Sequence, residues 1–168
     1  MLSKMFNKIK LNTNDEYYTP KIAWENIAQY LPRDKVIWES FHSPHAKSAE
    51  YLRELGFKCV YEPVDFFTTT LNDVNADYYL SNMPFSLKRE VFTRLKEVDK
   101  PFVMLVPTSC LQTKYFQDLF GGDRIQVILP YKKIQYEHPT RELKKRGCAF
   151  YSCYVCYKMD LEKDIIFI

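Results

Sequence analysis

The tetrapeptide Asn82-Met83-Pro84-Phe85 is the segment whose residue types point most directly to chemistry. An exocyclic amine on an aromatic ring is a poor nucleophile, because its lone pair is delocalised into the ring. A site that accepts the amine hydrogens through an amide oxygen and a backbone carbonyl sharpens that lone pair, and Asn82 and the Met83 carbonyl are suited to this. Phe85 would stack on the ring that carries the amine. These residue types are therefore suited to a reaction at an amino nitrogen.

The same four residues also fit a plain turn between a strand and a helix. Asparagine hydrogen-bonds readily to nearby backbone, and proline opens a helix. The tetrapeptide alone therefore favours a purely structural role, and only matching motifs elsewhere in the chain reverse that preference.

Strand and helix patterns alternate along the chain and must position this tetrapeptide. Apolar runs predict strands at 35–39, 57–61, 76–81, 102–106, 125–129, 148–158 and 164–167. Apolar residues at helical spacing predict helices at 20–31, 46–55, 87–98 and 111–120. This alternation predicts an α/β fold with a Rossmann-like, doubly wound and mostly parallel sheet. No helix pattern separates the last two strands, so we expect antiparallel strands at the C-terminal edge.

Acidic residues follow the first two predicted strands. Glu39 ends the first strand, and Glu62 and Asp65 follow the second. Ligands of open α/β sheets bind outside the carboxyl ends of the strands, so these carboxylates and Asn82 are candidates for one site. Each acid also fits an ordinary strand end.

Size and composition indicate one domain. The chain has 168 residues and a mass of 20.1 kDa, and its 46% hydrophobic content is enough for a core without disulfides. We expect an N-terminal arm at 1–14 and a single domain at 15–168. The sequence has no repeats or low-complexity segments, which excludes collagen-like, solenoid and largely disordered proteins.

A polar stretch at 131–147 is rich in basic residues, although the whole chain carries a formal net charge of only +3. We predict an exposed loop, and such a loop is most often a solvated surface. Beside a pocket for a flipped base, its cations would also meet the phosphates of a nucleic acid. The candidate nucleic-acid residues are Lys132, Lys133, Arg141, Lys144, Lys145 and Arg146.

The five cysteines indicate buried thiols, because their number is odd and they lie mostly in apolar segments. Cys153 and Cys156 lie on a predicted strand, where residues three apart point to opposite faces, so we expect no metal site. No apolar run is long enough to cross a bilayer, and the N-terminus lacks the apolar core of a secretory signal. We therefore expect an intracellular, cytoplasmic protein without membrane contact.

Four segments together resemble motifs of the S-adenosylmethionine-dependent amino methyltransferases, especially the N6-adenine enzymes of small phages and large DNA viruses. Residues 81–86 are similar to the family's Asn-Pro-Pro-Phe or Asn-Pro-Pro-Tyr element. Segments 15–20, 38–41 and 64–67 are similar, in turn, to the Tyr-Thr-Pro element, the start of the cofactor loop and the acid-phenylalanine element. The order of the motifs also matches, over roughly residues 15–130.

The resemblance implies S-adenosylmethionine as the cofactor. Tyr18 and Thr19 would meet its methionine end, and Asp65 or Glu62 would accept hydrogen bonds from its ribose hydroxyls or adenine amine. Phe66 would pack on the adenine face. The implied cofactor-binding residues are Tyr18, Thr19, Glu39, Phe41, Ser43, Asp65 and Phe66.

The resemblance implies a methyltransferase acting on an amino group of nucleic acid, with adenine N6 as the expected target and DNA or RNA as the partner. A viral member of the family would act in the host cell. No stretch is left for a target-recognition region, so specificity would come from the basic loop, a homodimer or a separate partner protein.

Two departures from the family pattern favour an alternative. Ser43 and His45 stand where the cofactor loop has a glycine pair, and Met83 stands where the family has its first proline. Glycine is normally used there because the backbone approaches the ligand or adopts a positive φ. The alternative is a catalytically inactive, methyltransferase-like module that binds nucleic acid or protein.

Overall fold

The structure, a computed structural model, describes residues 17–41, 47–137 and 148–168. Seven strands and four α-helices form its regular elements within these ranges. The strands are β1 (Val36–Trp38), β2 (Lys58–Val60), β3 (Tyr78–Asn82), β4 (Phe102–Pro107), β5 (Ile125–Leu129), β6 (Ser152–Tyr157) and β7 (Ile165–Phe167). The helices are α1 (Lys21–Glu25), α2 (Ser48–Glu54), α3 (Lys88–Val98) and α4 (Lys114–Phe120). Short 3-10 turns lie at Ala28–Tyr30, Phe85–Leu87 and Thr108–Gln112.

The strands form one sheet in the order β2-β1-β3-β4-β6-β5-β7. Strands β2, β1, β3 and β4 pair in parallel. Strand β6 is antiparallel to both β4 and β5, so β5 runs in the same direction as β4, and β7 pairs in parallel with β5. The predicted Rossmann-like, mostly parallel α/β fold is confirmed. The antiparallel C-terminal strand β6 lies between β4 and β5, and β7 forms the edge.

Two apolar layers cover the faces of the sheet. On one face, α1 and α2 pack against residues such as Tyr78 and Leu80 of β3. On the other face, α3 and α4 pack against residues such as Tyr79 of the same strand. The alternation follows from the two-residue period of a strand, and every residue of β4 is buried because both faces are covered. The result is a three-layer arrangement of helices, sheet and helices.

The helix predicted at 20–31 is shorter than expected. It is α-helical only over Lys21–Glu25 and continues as the 3-10 turn Ala28–Tyr30. Leu31 precedes Pro32 and has an extended backbone, with φ −93° and ψ 135°. A residue before proline avoids the helical region, so the chain tightens into a 3-10 turn before it leaves the helix.

Four of the five cysteines are buried, as the sequence predicts, and Cys148 is partly exposed. Cys153 and Cys156 of β6 belong to the apolar layers on opposite faces of the sheet. All five cysteines lie within the described ranges and are free thiols. Among the described residues, no group of three or more His, Cys, Asp or Glu side chains is arranged to hold a metal ion. The helices described here include none with the length and apolarity to cross a membrane.

Candidate active site

The carboxyl ends of β1 and β3 lie side by side and bring the first polar residues together. The two strands pair in parallel with Ile37 opposite Tyr78 and Trp38 opposite Tyr79. Continuing this register places Glu39, directly after β1, beside the end of β3. The Ser81 hydroxyl donates a hydrogen bond to Oε1 of Glu39, and the Phe41 amide donates to the same oxygen at 3.3 Å. This edge of the sheet therefore holds a carboxyl group in a fixed position.

Glu39 is a buried acid with an unusual protonation equilibrium. Its exposed fraction is only 2%. Burial raises the pKa of Glu39 to about 7, because the charged form loses its hydration, and the hydrogen bonds from Ser81 and Phe41 oppose this rise. Near neutral pH the carboxyl group therefore exchanges between neutral and charged forms, which is typical of functional sites.

The Asn82 side chain is held in one orientation at the end of β3. Its Nδ2 donates a hydrogen bond to the Tyr17 carbonyl oxygen at 3.0 Å. A carbonyl oxygen only accepts hydrogen bonds, so the amide nitrogen must face it and Oδ1 must point the other way. Oδ1 is buried and has no hydrogen-bond partner among the described residues. Asn82 thus presents an oriented acceptor that the described part of the chain leaves unused.

The segment that holds Asn82 is itself attached to a distant part of the chain. Tyr18 and Glu137 form an antiparallel bridge, with N–H to carbonyl distances of 2.8 and 2.9 Å in the two directions. This bridge joins the start of the described chain to the segment after β5. The Tyr17 carbonyl is therefore fixed by backbone pairing rather than by local sequence.

Four aromatic rings pack together beside Asn82, and we call them the aromatic cluster: Tyr17, Phe85, Tyr136 and Phe150. The rings of Tyr17 and Phe85 stack, with centroids 5.5 Å apart and an interplanar angle of 28°. Phe150 meets Phe85 edge-on at 5.4 Å. The Tyr136 hydroxyl pairs with the Ser152 hydroxyl at 2.8 Å. The predicted stacking residue Phe85 is thus partly buried and already contacts rings of its own chain.

Two further hydroxyl groups at this edge lack partners. Thr19 Oγ1 and Ser40 Oγ are buried and make no hydrogen bond to the described residues. Thr19 follows the segment that holds Asn82, and Ser40 follows Glu39 at the end of β1. Leaving a buried polar group unpaired costs about 1–3 kcal/mol, so a bound ligand that pairs with these oxygens would recover that energy. These two hydroxyl oxygens and Asn82 Oδ1 are buried polar atoms that the described residues leave without a partner.

The acid-phenylalanine segment forms a turn beside β1. Asp65 Oδ1 accepts a hydrogen bond from the Phe67 amide at 2.9 Å, and the Asp65 carboxyl group stays partly exposed. Phe66 is 4% exposed, and its ring centroid lies 4.6 Å from that of Phe41 and 6.2 Å from that of Trp38. The structure therefore brings Phe41 and Phe66 together, with Phe66 in the apolar layer that includes α3 and α4.

The remaining predicted residues fall into three groups. Met83 is 1% exposed, with its side chain in the apolar layer that includes α3, and Pro84 precedes the 3-10 turn Phe85–Leu87. Lys132 and Lys133 lie after β5 on the surface. Ser43 and the basic residues Arg141, Lys144, Lys145 and Arg146 lie outside the described ranges, as does the predicted N-terminal arm at 1–14.

Three participating residues were absent from the sequence-based candidates. Ser81 bonds to Glu39, Ser40 supplies an unpaired hydroxyl, and the Tyr17 carbonyl orients Asn82. Ser81 and Ser40 directly adjoin predicted site residues at strand ends, which is the signal that identifies them. The role of Tyr17 depends on a backbone carbonyl and a contact across 65 positions of the sequence, which no local pattern predicts.

Comparisons with known proteins add little to this geometry. No protein-family model matches the sequence, and no curated protein matches it. Among solved structures, the chain is similar to a precorrin-6y C5,15-methyltransferase from Geobacter metallireducens GS-15. The identity is 13%, the TM-score is 0.44, and the match covers 87% of this chain and 96% of the other. Because similarity at this level identifies no ligand, we base the function on the residues of this chain.

Proposed function

We propose that this protein is an S-adenosylmethionine-dependent methyltransferase that acts on an amino group of nucleic acid, with adenine N6 as the target. The observation that carries the proposal is the Asn82 side chain, whose Oδ1 is buried, unpaired and oriented by the Tyr17 carbonyl. A buried amide oxygen without a partner is costly in a folded protein, and an amine hydrogen of the substrate would satisfy it. This contact would sharpen the nitrogen lone pair for attack on a methyl group.

The unpaired hydroxyl groups of Thr19 and Ser40 are available to a polar cofactor. When bound, S-adenosylmethionine supplies an electrophilic methyl group on a sulfonium. Thr19 Oγ1 and Ser40 Oγ would form hydrogen bonds with polar atoms of the cofactor. Glu39 would hold the segment that follows β1 in place, because its Oε1 accepts a hydrogen bond from the Phe41 amide. Asp65, at the turn after β2, offers a second carboxyl oxygen for hydroxyl or amine donors. The protein mainly positions the two reactants, which supplies much of the rate of a transfer reaction.

The target nucleotide must be unpaired to reach Asn82. A base within a duplex is stacked on both sides, so the chain would act on single strands or on a flipped base. Phe85 provides the aromatic side chain at the motif, and its present stacking partner Tyr17 belongs to the same segment that contacts Asn82. A target base that takes the face of Phe85 on which Tyr17 stacks would displace the Tyr17 ring.

That filled stacking position also favours a second candidate function. If Tyr17 stays on Phe85, the same fold would serve as a catalytically inactive module that binds nucleic acid or protein. Ser43 and His45 at the family's glycine positions point the same way. The two candidates differ in one measurable property, which is methyl transfer.

A transfer assay distinguishes the two candidates. The protein is incubated with methyl-tritiated S-adenosylmethionine and adenine-containing oligonucleotides as single-stranded DNA, duplex DNA and single-stranded RNA. The expected result is tritium in an oligonucleotide and N6-methyladenine after nuclease digestion and mass spectrometry, with no product when the target adenines are replaced by N6-dimethyladenine. An oligonucleotide that binds but acquires no methyl group would contradict the methyltransferase proposal and support the inactive binding module.

The unpaired hydroxyl of Thr19 gives a prediction with opposite effects on stability and ligand binding. Thr19→Val removes a buried hydroxyl without a partner, so we expect the free energy of unfolding to rise by about 1 kcal/mol. We expect the same change to weaken S-adenosylmethionine binding about tenfold, because one hydrogen bond to the ligand is lost. Urea unfolding and calorimetric titration measure the two effects.

The matched control is a threonine whose hydroxyl is paired. Thr113 Oγ1 donates to the Cys110 carbonyl at 2.7 Å, so Thr113→Val should lower the free energy of unfolding by about 1 kcal/mol and leave ligand binding unchanged. If Thr19→Val instead destabilises the protein as Thr113→Val does, the Thr19 hydroxyl has a hydrogen-bond partner in solution. Thr19 Oγ1 is then not available to the ligand.

A further inference from the structure

A surface patch of two tyrosines and two lysines lies close to the candidate active site. We call it the tyrosine–lysine surface: Tyr131, Lys132, Lys133 and Tyr151. Tyr131 is 74% exposed and Tyr151 is 55% exposed, which makes them two of the few large exposed hydrophobic residues among those described. The Lys132 Nζ lies 5.0 Å from the Tyr131 ring centroid, and the Lys133 Nζ lies 5.0 Å from the Tyr151 ring centroid. Each tyrosine ring thus makes a cation–π contact with one lysine.

The backbone on which these tyrosines stand is firmly paired. The Tyr131 amide donates to the Ile168 carbonyl at 2.8 Å, and the Tyr151 carbonyl accepts from the Thr108 amide at 2.9 Å. Lys133 also reaches back to the Ala149 carbonyl, at 3.5 Å. The two rings are therefore held out into solvent by an ordered scaffold.

The sheet topology places this surface at the same edge as Asn82. Tyr131 follows β5, which runs in the direction of β3 and β4, and Tyr151 precedes the antiparallel strand β6. Phe150, the neighbour of Tyr151, contacts Phe85 within the aromatic cluster. Tyr151 is therefore linked to the Asn82-Phe85 motif through its neighbour Phe150.

We propose that the tyrosine–lysine surface binds single-stranded nucleic acid and leads it to the active site. Tyr131 and Tyr151 would stack on unpaired bases, and Lys132 and Lys133 would contact the phosphates. A duplex keeps its base faces covered, so only a single strand uses both kinds of contact. The delivery of a target base to Asn82 rests on the proposed function, whereas the binding of a single strand at this surface does not.

Binding of a fluorescein-labelled twelve-nucleotide oligodeoxyadenylate, measured by anisotropy over a series of salt concentrations, tests the proposal. We expect Tyr131→Ala and Tyr151→Ala each to weaken binding about tenfold without changing the slope of log affinity against log salt. Tyr151→Phe should bind like the wild type, because the stacking face remains. Lys133→Ala should make the salt slope shallower by about one.

Two matched substitutions at the amino end of β7, outside the tyrosine–lysine surface, serve as controls. Ile165 of β7 is 54% exposed, so Ile165→Ala removes a side chain of similar exposure to Tyr151. Lys163 is an exposed cation just before β7, at the opposite end of the parallel strands. Both variants should bind the oligonucleotide like the wild type.

The outcomes separate this proposal from the proposed function. If Tyr131→Ala and Tyr151→Ala bind as tightly as the wild type, or if the labelled duplex binds as tightly as the single strand, the surface proposal is overturned even when S-adenosylmethionine binds. Tyrosine-dependent binding of the single strand supports the surface, and it does so even if the protein binds no S-adenosylmethionine and the methyltransferase proposal fails.

Discussion

Replacing Asn82 with alanine is expected to lower the rate of methyl transfer about 10²–10³-fold, the size of effect seen when one oriented hydrogen-bonding group is removed from a catalytic site. The amide oxygen of Asn82 is a buried acceptor that the described structure leaves unpaired, and alanine has no polar atom to replace it. The loss should fall on kcat, because Asn82 is assigned to the target amine. Single-turnover transfer from labelled S-adenosylmethionine measures it.

The controls for Asn82→Ala separate chemistry from folding. Asn72 is exposed in a loop, so Asn72→Ala should transfer methyl groups like the wild type. The affinity of Asn82→Ala for S-adenosylmethionine should change less than threefold. Its unfolding midpoint in urea should stay close to that of the wild type, because the loss of the bond to the Tyr17 carbonyl is offset by the removal of the buried, unpaired Oδ1. Equal transfer rates for the two variants would remove Asn82 from the mechanism.

Replacing Glu39 with glutamine is expected to stabilise the fold at alkaline pH and to leave it unchanged in acid. Burial raises the pKa of Glu39 from 4.5 to about 7, which corresponds to about 3 kcal/mol at about 1.4 kcal/mol per pH unit. Below pH 4.5 the carboxyl group is protonated in both the folded and the unfolded chain, so it costs nothing. The stability falls as the pH rises from 4.5 to 7, and the full cost remains above that range.

Glutamine resembles the protonated carboxyl group and keeps an oxygen for the Ser81 hydroxyl and the Phe41 amide. In urea unfolding at pH 5, 6, 7 and 8, the free energy of unfolding of Glu39→Gln should therefore exceed that of the wild type by an amount that grows with pH, up to about 3 kcal/mol. The difference between the two proteins also cancels the titration of the three histidines. Glu62 is exposed, and Glu62→Gln should show no such trend. A difference that is constant with pH would mean that Glu39 is charged and well compensated throughout.

The elements that the sequence predicts well are those that a local pattern determines. The run Phe102–Pro107 is apolar without interruption because both faces of β4 are covered, and the predicted strand at 102–106 differs from it by one residue. Strand β5 has the predicted bounds. The predicted helix at 87–98 is α3 from Lys88, because its apolar residues repeat at helical spacing.

The parts that the sequence predicts less well depend on hydrogen bonds between distant segments. The position of β6 between β4 and β5 is set by pairing on both sides, which the apolar pattern of β6 alone cannot encode. The site shows the same limit. A motif predicts that Asn82 carries chemistry, but its orientation depends on the Tyr17 carbonyl, and that carbonyl is fixed by the bridge between Tyr18 and Glu137.

Phe85 illustrates the difference between a motif and its surroundings. Sequence resemblance implies that its ring stacks on a target base. In the structure that ring packs against Tyr17, Tyr136 and Phe150, which come from three other segments of the chain. The motif predicts an aromatic residue at this position, whereas the rings that pack against Phe85 are determined by the tertiary structure.

The most direct test of the central claim is an isothermal titration of the purified protein with S-adenosylmethionine and with S-adenosylhomocysteine. The account predicts one binding site per chain with a dissociation constant in the micromolar range, about −8 kcal/mol, and weaker binding by Thr19→Val. No heat and no thermal stabilisation at millimolar concentrations of either compound would contradict the claim that this protein binds the cofactor and that Thr19 and Ser40 contribute to its site.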